Sequence, residues 1–190
     1  MKKIVVLMIV LIALSSFVLQ TETTFYSLLA AKKDPIVVEH LILQKKKYKQ
    51  VPDSLFIFEN LLSLDLSKNK IDLMSADIGD IKQLRKLDLS RNMIHLVPPQ
   101  IGKLQDLEEL ILSKNQIKSL PEDLAKLKKL KVLKLDGNQI NKIPKFIYQL
   151  QNLELIDLRQ LELEDEDLLR LHDHLPETSI YYSTNCACGF

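Results

Sequence analysis

The chain has 190 residues, 27% of them charged and 46% hydrophobic, with a formal net charge of +1. This composition excludes an intrinsically disordered chain and gives no basic footprint for nucleic acid. Only four glycines are available for phosphate-cradling loops, and no P-loop, G-x-G-x-x-G or G-x-S-x-G motif occurs.

Met1-Lys2-Lys3 followed by the apolar run Ile4 to Leu14 has the charged start and short hydrophobic stretch of a secretory signal. The run is shorter than the roughly 20 residues that a membrane-spanning helix needs. Ala13-Leu14-Ser15 offers small residues for cleavage, and Ala30-Ala31 is a later competing site. Release between Ser15 and Thr21 spares the amphipathic stretch that follows, so residues 1–20 are assigned as signal peptide and no stable membrane span is expected after its removal. An uncleaved anchor is the rival reading.

Residues 21–37 are expected to form an amino-terminal capping helix. Phe25, Leu28, Leu29 and Lys32 recur at helical spacing, Thr23 or Thr24 can serve as N-cap, and Pro35 ends the segment.

From Leu61 onward one pattern repeats every 23 residues, starting at Leu61, Leu84, Leu107 and Leu130. In LRKLDLSRNMIHLVPPQIGKLQD, residues 84–106, an L-x-L alternation gives a short half-buried strand. The pairs Leu64/Leu66, Leu87/Leu89, Leu110/Leu112 and Leu133/Leu135 point inward. Pro98, Pro121 and Pro144, with Ser75 in their place in one repeat, mark the turn beyond the strand. Ile101/Leu104, Leu124/Leu127 and Ile147/Leu150 then return to the core through short helical turns. Residues 38–60 fit the same template with Lys46 where the others carry Asn.

Asn69, Asn92, Asn115 and Asn138 form the most specific column. Where the chain bends inward, buried backbone groups leave the strand ladder and need partners, and a stacked amide supplies both donor and acceptor. The pattern fades after Leu153, with Leu161 at the asparagine position. Leu168, Leu169, Leu171 and Leu175 predict a capping helix, with Glu164 to Asp167 at its positive end and Pro176 beyond it. Ser179 to Tyr182 reads as a last strand closing the sheet edge. Residues 38–160 are therefore a solenoid, 161–182 its carboxyl-terminal cap and 183–190 a flexible tail.

A 23-residue unit of the form L-x-x-L-x-L-x-x-N is that of a leucine-rich repeat. Between Tyr26 and Tyr182 the chain resembles the secreted bacterial leucine-rich-repeat proteins abundant in spirochaetes. The lead-in Tyr26, Leu29, Pro35, Val38 and the ending Leu175, Pro176, Ile180, Tyr181 belong to that resemblance, with Lys32 replacing an alanine. The resemblance implies an α/β horseshoe with a parallel sheet on its concave face, helical turns or loops on its convex face and caps at both ends. It also implies protein binding without catalysis, at the cell surface or with host proteins.

Outward residues of successive strands make two columns on the concave face, about 4.8 Å apart from strand to strand. One is His40, Ser63, Lys86, Glu109, Val132, Leu155; the other is Ile42, Asp65, Asp88, Ile111, Lys134, Asp157. Ile111, Val132 and Leu155 put apolar groups where polar ones are expected, which marks a contact surface. Asp65, Asp88, Lys86 and Glu109 form its polar surround. Lys45, Lys68, Arg91 and Lys114 make a basic stripe beside it.

His172 and His174 are weak metal candidates, because i, i+2 spacing on a helix points the rings apart. His40 and His95 stand alone, and Cys186-Ala187-Cys188 falls short of a zinc pattern. The expectation is a monomeric, non-enzymatic protein-binding scaffold without cofactor, secreted, periplasmic or on the cell surface. An intracellular regulatory protein and a self-assembling envelope protein are the alternatives.

Overall fold

The computed structural model describes residues 23–183. The signal segment, the Ala13-Leu14-Ser15 cleavage site and Cys186 and Cys188 lie outside the described residues, whereas the competing Ala30-Ala31 site lies in the single-turn helix 28–31.

Eight parallel strands form one open sheet in chain order: β1 (Thr24–Phe25), β2 (His40–Ile42), β3 (Ser63–Asp65), β4 (Lys86–Asp88), β5 (Glu109–Ile111), β6 (Val132–Lys134), β7 (Leu155–Asp157) and β8 (Ser179–Tyr181). Register follows the repeat: Leu64 pairs with Leu87, Leu87 with Leu110, and Leu110 with Leu133. The two leucines of each regular repeat are fully buried. Each three-residue strand thus turns its central side chain inward and its first and third outward, the period-two outcome of the pleat.

The return path runs through five-residue 3-10 turns, Asp53–Ile57, Ala76–Asp80, Pro99–Lys103, Glu122–Lys126 and Lys145–Gln149. Pro52, Pro98, Pro121 and Pro144 stand immediately before four of these turns. Ser75 takes that place in the fifth, and its Oγ accepts the Asp77 N–H at 3.2 Å. A hydroxyl cap there does by hydrogen bonding what proline does by restricting φ. Successive turns pack closely: a Cβ on Gly102 would meet the Asp123 carbonyl oxygen at 2.5 Å, and one on Gly79 would strike the Gln100 carbonyl.

Strand exits are built from the asparagine column. Asn115 Nδ2 donates to the Leu112 carbonyl of its own repeat at 2.9 Å and to the Leu89 carbonyl of the repeat before at 3.0 Å. Its Oδ1 accepts the Ile94 N–H at 3.0 Å. Asn92 and Asn138 repeat this arrangement one turn to either side, and Asn69 accepts from both Lys46 and Tyr48 N–H. The residue before each asparagine sits in the left-handed region: Lys68, Arg91 and Lys114 at φ 56 to 57°, and Gly137 at 64°. The basic stripe seen in the sequence is therefore largely a column of left-handed turn residues, which only glycine adopts without cost.

The amino-terminal cap differs from the expected helix. Thr24 and Phe25 pair with His40 and Leu41 as a strand, and the helix shrinks to one turn, α1 (Leu28–Ala31), capped by Ser27. β-Branched threonines favour the extended backbone, and covering the β2 edge satisfies groups that a helix would leave unpaired. Phe25 and Leu28 pack on the core, whereas Leu29 is 80% exposed, so the anticipated apolar helix face is not formed. At the other end α2 (Asp165–His174) opens with Asp165, Glu166 and Asp167 and buries Leu168 and Leu171. Leu169 faces solvent.

Candidate functional site

Repeat register places the two outward columns side by side on the solvent-facing side of the sheet. Lys86, Glu109, Val132, Leu155 and Ser179 make one row; Asp65, Asp88, Ile111, Lys134, Asp157 and Tyr181 make the other. Val132 and Leu155 are direct neighbours, and Ile111 lies diagonally across from Val132 beside Lys134. All three are half-buried. The row beyond Leu155 continues into β8 without covering it.

Charged groups divide into those engaged locally and those that face outward. Lys86 Nζ and Glu109 Oε2 form an ion pair at 2.6 Å next to Val132. Asp65 and Asp88 act differently: each Oδ1 accepts the N–H two residues on, from Ser67 and Ser90, at 2.8 Å. Asp65 Oδ2 also accepts from Gln44 Nε2 at 2.8 Å. These carboxylates cap strand exits, a structural task the sequence reading assigned to a binding surround. Where the column carries Ile111 and Lys134 that cap is missing, and Ser113 Oγ donates to Asp136 of the next repeat instead.

Three residues absent from the sequence-derived surround join the apolar trio at the carboxyl-terminal end. Asp157 is buried and held by Arg159, whose Nε and Nη2 donate to its two oxygens at 2.9 and 2.6 Å. Burial pushes the Asp157 carboxyl upward, but the Arg159 hydrogen bonds and the nearby charges of Arg159 and Lys134 prevail and hold it below the usual carboxylate range. Arg159 also lies 5.9 Å from the centre of the Tyr181 ring, which is 49% exposed. The signal for Tyr181 was present in the final strand, whose register with β7 puts it beside Asp157.

Of the histidines, His174 has a packing role. The His174 ring stacks on Tyr148 with centroids 4.3 Å apart, and its Nδ1 lies 2.8 Å from the Arg170 carbonyl. Among the described residues no three His, Cys, Asp or Glu side chains converge to hold a metal ion.

A family model described as a leucine-rich repeat region matches residues 38–176. The chain belongs to the leucine-rich-repeat family. Among solved structures, a leucine-rich-repeat protein of Leptospira interrogans is 28% identical with a TM-score of 0.65, the match covering 76% of this chain and 43% of that one. The ectodomain of an Arabidopsis thaliana membrane receptor kinase, solved in complex with Casparian strip integrity factor 2, is also 28% identical. Its TM-score is 0.61, over 67% of this chain and 16% of that one. The functional domain of InlJ from Listeria monocytogenes shares the fold at 19% identity and a TM-score of 0.65, over 86% of this chain and 37% of that one. The chain spans less than half the length of each of these relatives. No curated protein sequence matches it. No helix among the described residues is long and apolar enough to cross a membrane.

Proposed function

We propose that this leucine-rich-repeat protein is an exported scaffold that binds a protein partner on the open sheet face, centred on Ile111, Val132 and Leu155. Leucine-rich repeats are commonly protein-interaction scaffolds and typically non-enzymatic. The observation that carries the reading is the grouping of these three half-buried apolar residues on adjacent strands, next to β3 and β4, which present Ser63, Asp65, Lys86 and Asp88. An interface core of this kind, rimmed by Lys86, Glu109 and Lys134 and extended by Tyr181, matches the usual anatomy of an apolar centre in a polar rim. Asp88 belongs to the rim through its Oδ2, and Asp65, both of whose oxygens already accept hydrogen bonds, through its charge.

Export rests on Met1 to Leu14 and on the likeness to the ectodomain of a plant membrane receptor kinase. A partner outside the producing cell, a host protein included, follows from it. The test pairs two measurements. The amino-terminus of protein recovered from fractionated cells and medium is expected between Ser16 and Glu22, outside the cytoplasm; a full-length cytoplasmic chain favours a regulatory role instead. Ile111→Asp with Val132→Asp is expected to abolish capture of extracellular protein partners while leaving the circular dichroism spectrum unchanged. Undiminished capture by that folded variant refutes the site.

A further inference from the structure

Both ends of the sheet stay open. Among the described residues β1 pairs only with β2 and β8 only with β7, so each end presents an edge strand with unpaired backbone groups. Six of the ten exposed large apolar side chains among the described residues lie at these two ends. Tyr26, Leu29 and Ile36 are 64, 80 and 74% exposed at the β1 end, and Leu169, Tyr181 and Tyr182 are 65, 49 and 41% exposed at the β8 end.

Charge separates the two ends. Residues 23–60 hold six lysines against four acidic residues, whereas residues 153–183 hold nine acidic residues against two arginines. The match is also positional. Lys47 and Lys49 of the first repeat occupy the repeat positions of Glu162 and Glu164 in the last, five periods of 23 residues away. All four are exposed, and none takes part in an ion pair among the described residues.

We infer that copies of this chain associate head to tail, the β8 edge of one copy adding to the β1 edge of the next, which sets the Glu162–Glu164 flank of the first on the same side as the Lys47–Lys49 flank of the second, three strand spacings or about 14 Å away. Strand addition is an established recognition mode in which backbone groups give affinity and flanking side chains give selectivity. Because every strand is parallel, coaxial stacking lets β8 and β1 run in the same direction and continues the sheet. Opposite charge on the same flank favours that polarity and opposes contact between like ends. A contact between two different ends does not close on itself, so it yields growing oligomers rather than a fixed dimer. The outward columns are left free, and the monomer expected from sequence is the dilute limit of this equilibrium.

Sedimentation of the full chain from about 10 µM to about 1 mM tests this, at salt from about 0.02 M to about 0.5 M, which shortens the screening length several-fold. The average mass is expected to rise with concentration past the dimer, and to rise less in high salt. Lys47→Glu with Lys49→Glu gives two acidic ends, and Glu162→Lys with Glu164→Lys gives two basic ends. Each variant alone is expected to stay monomeric, and an equimolar mixture to associate as the wild type does. A wild type that stays monomeric, a mass that levels off at a dimer, unimpaired association of either variant alone, or a mixture that remains monomeric overturns the inference.

Discussion

The two faces of a single strand carry different information. On β5, Leu110 points into the core and is one of a column that is leucine from Leu41 to Leu133, while its neighbour Ile111 points out into a column that changes from Asp to Ile to Lys. The inward side repeats because every unit must bury the same volume against the next. The outward side is free of that demand. Along it the amino-terminal half spends its carboxylates on capping strand exits, at Asp65 and Asp88; in the carboxyl-terminal half β5 and β6 give up that cap at Ile111 and Lys134, Asp157 alone retains it through the Arg159 N–H, and Ile111, Val132, Leu155 and Tyr181 gather there. Departure from a locally useful residue, where stacking would favour keeping it, marks the half of the face free to serve binding.

The largest test of this contrast exchanges adjacent residues. Leu110→Ala is expected to cost about 2–5 kcal/mol through the cavity it leaves, and Ile111→Ala less than about 1 kcal/mol. Urea unfolding midpoints compare them, and equal losses would show that Ile111 belongs to the core. Next in size is the asparagine column. Asn115→Ala leaves the Ile94 N–H and the Leu89 carbonyl without their amide partner and should destabilise by about 1–3 kcal/mol; an unchanged midpoint would mean water replaces the amide at no cost.

Asp88→Ala is expected to cost about 1 kcal/mol by removing the Ser90 cap. Partner binding should change less than it does in the Ile111 and Val132 variants. Binding lost outright in Asp88→Ala would erase the distinction between the two halves.

The smallest effect is one of pH. The Asp157 carboxyl is held below its ordinary range in the folded chain, so its contribution to stability is present above the unfolded carboxylate pKa of about 4. That contribution disappears as pH falls through the lower folded value. Asp157→Asn should therefore lower stability above about pH 4, where the carboxylate contributes, and converge with the wild type at lower pH, which flattens the acid side of the profile. An unchanged acid side would remove the Asp157–Arg159 pair from the account.

The amino-terminal segment shows where local reading failed. Phe25, Leu28 and Leu29 have helical spacing, yet Thr24 and Phe25 became a strand because β2 offered an unpaired edge. The last strand read true for the same reason in reverse: alternating Ser179 to Tyr181 met an edge that needed it. Ser75 shows a milder case, in which the missing proline was visible but the hydroxyl cap replacing it depends on the Asp77 N–H of the folded turn.

By itself the sequence determined the period, the inward leucines, the parallel sheet and the family, because a 23-residue unit that cannot bury its own apolar face has to stack on its copies. Tertiary structure decided what stacking cannot specify in advance. It turned Asp65 and Asp88 into strand-exit caps, put the basic stripe into left-handed turns, and set Tyr181 and Arg159 beside the apolar trio. Among the described residues it also left both sheet edges open. These outcomes depend on which backbone groups remain unpaired once neighbouring repeats are in place, a quantity that exists only in the assembled fold.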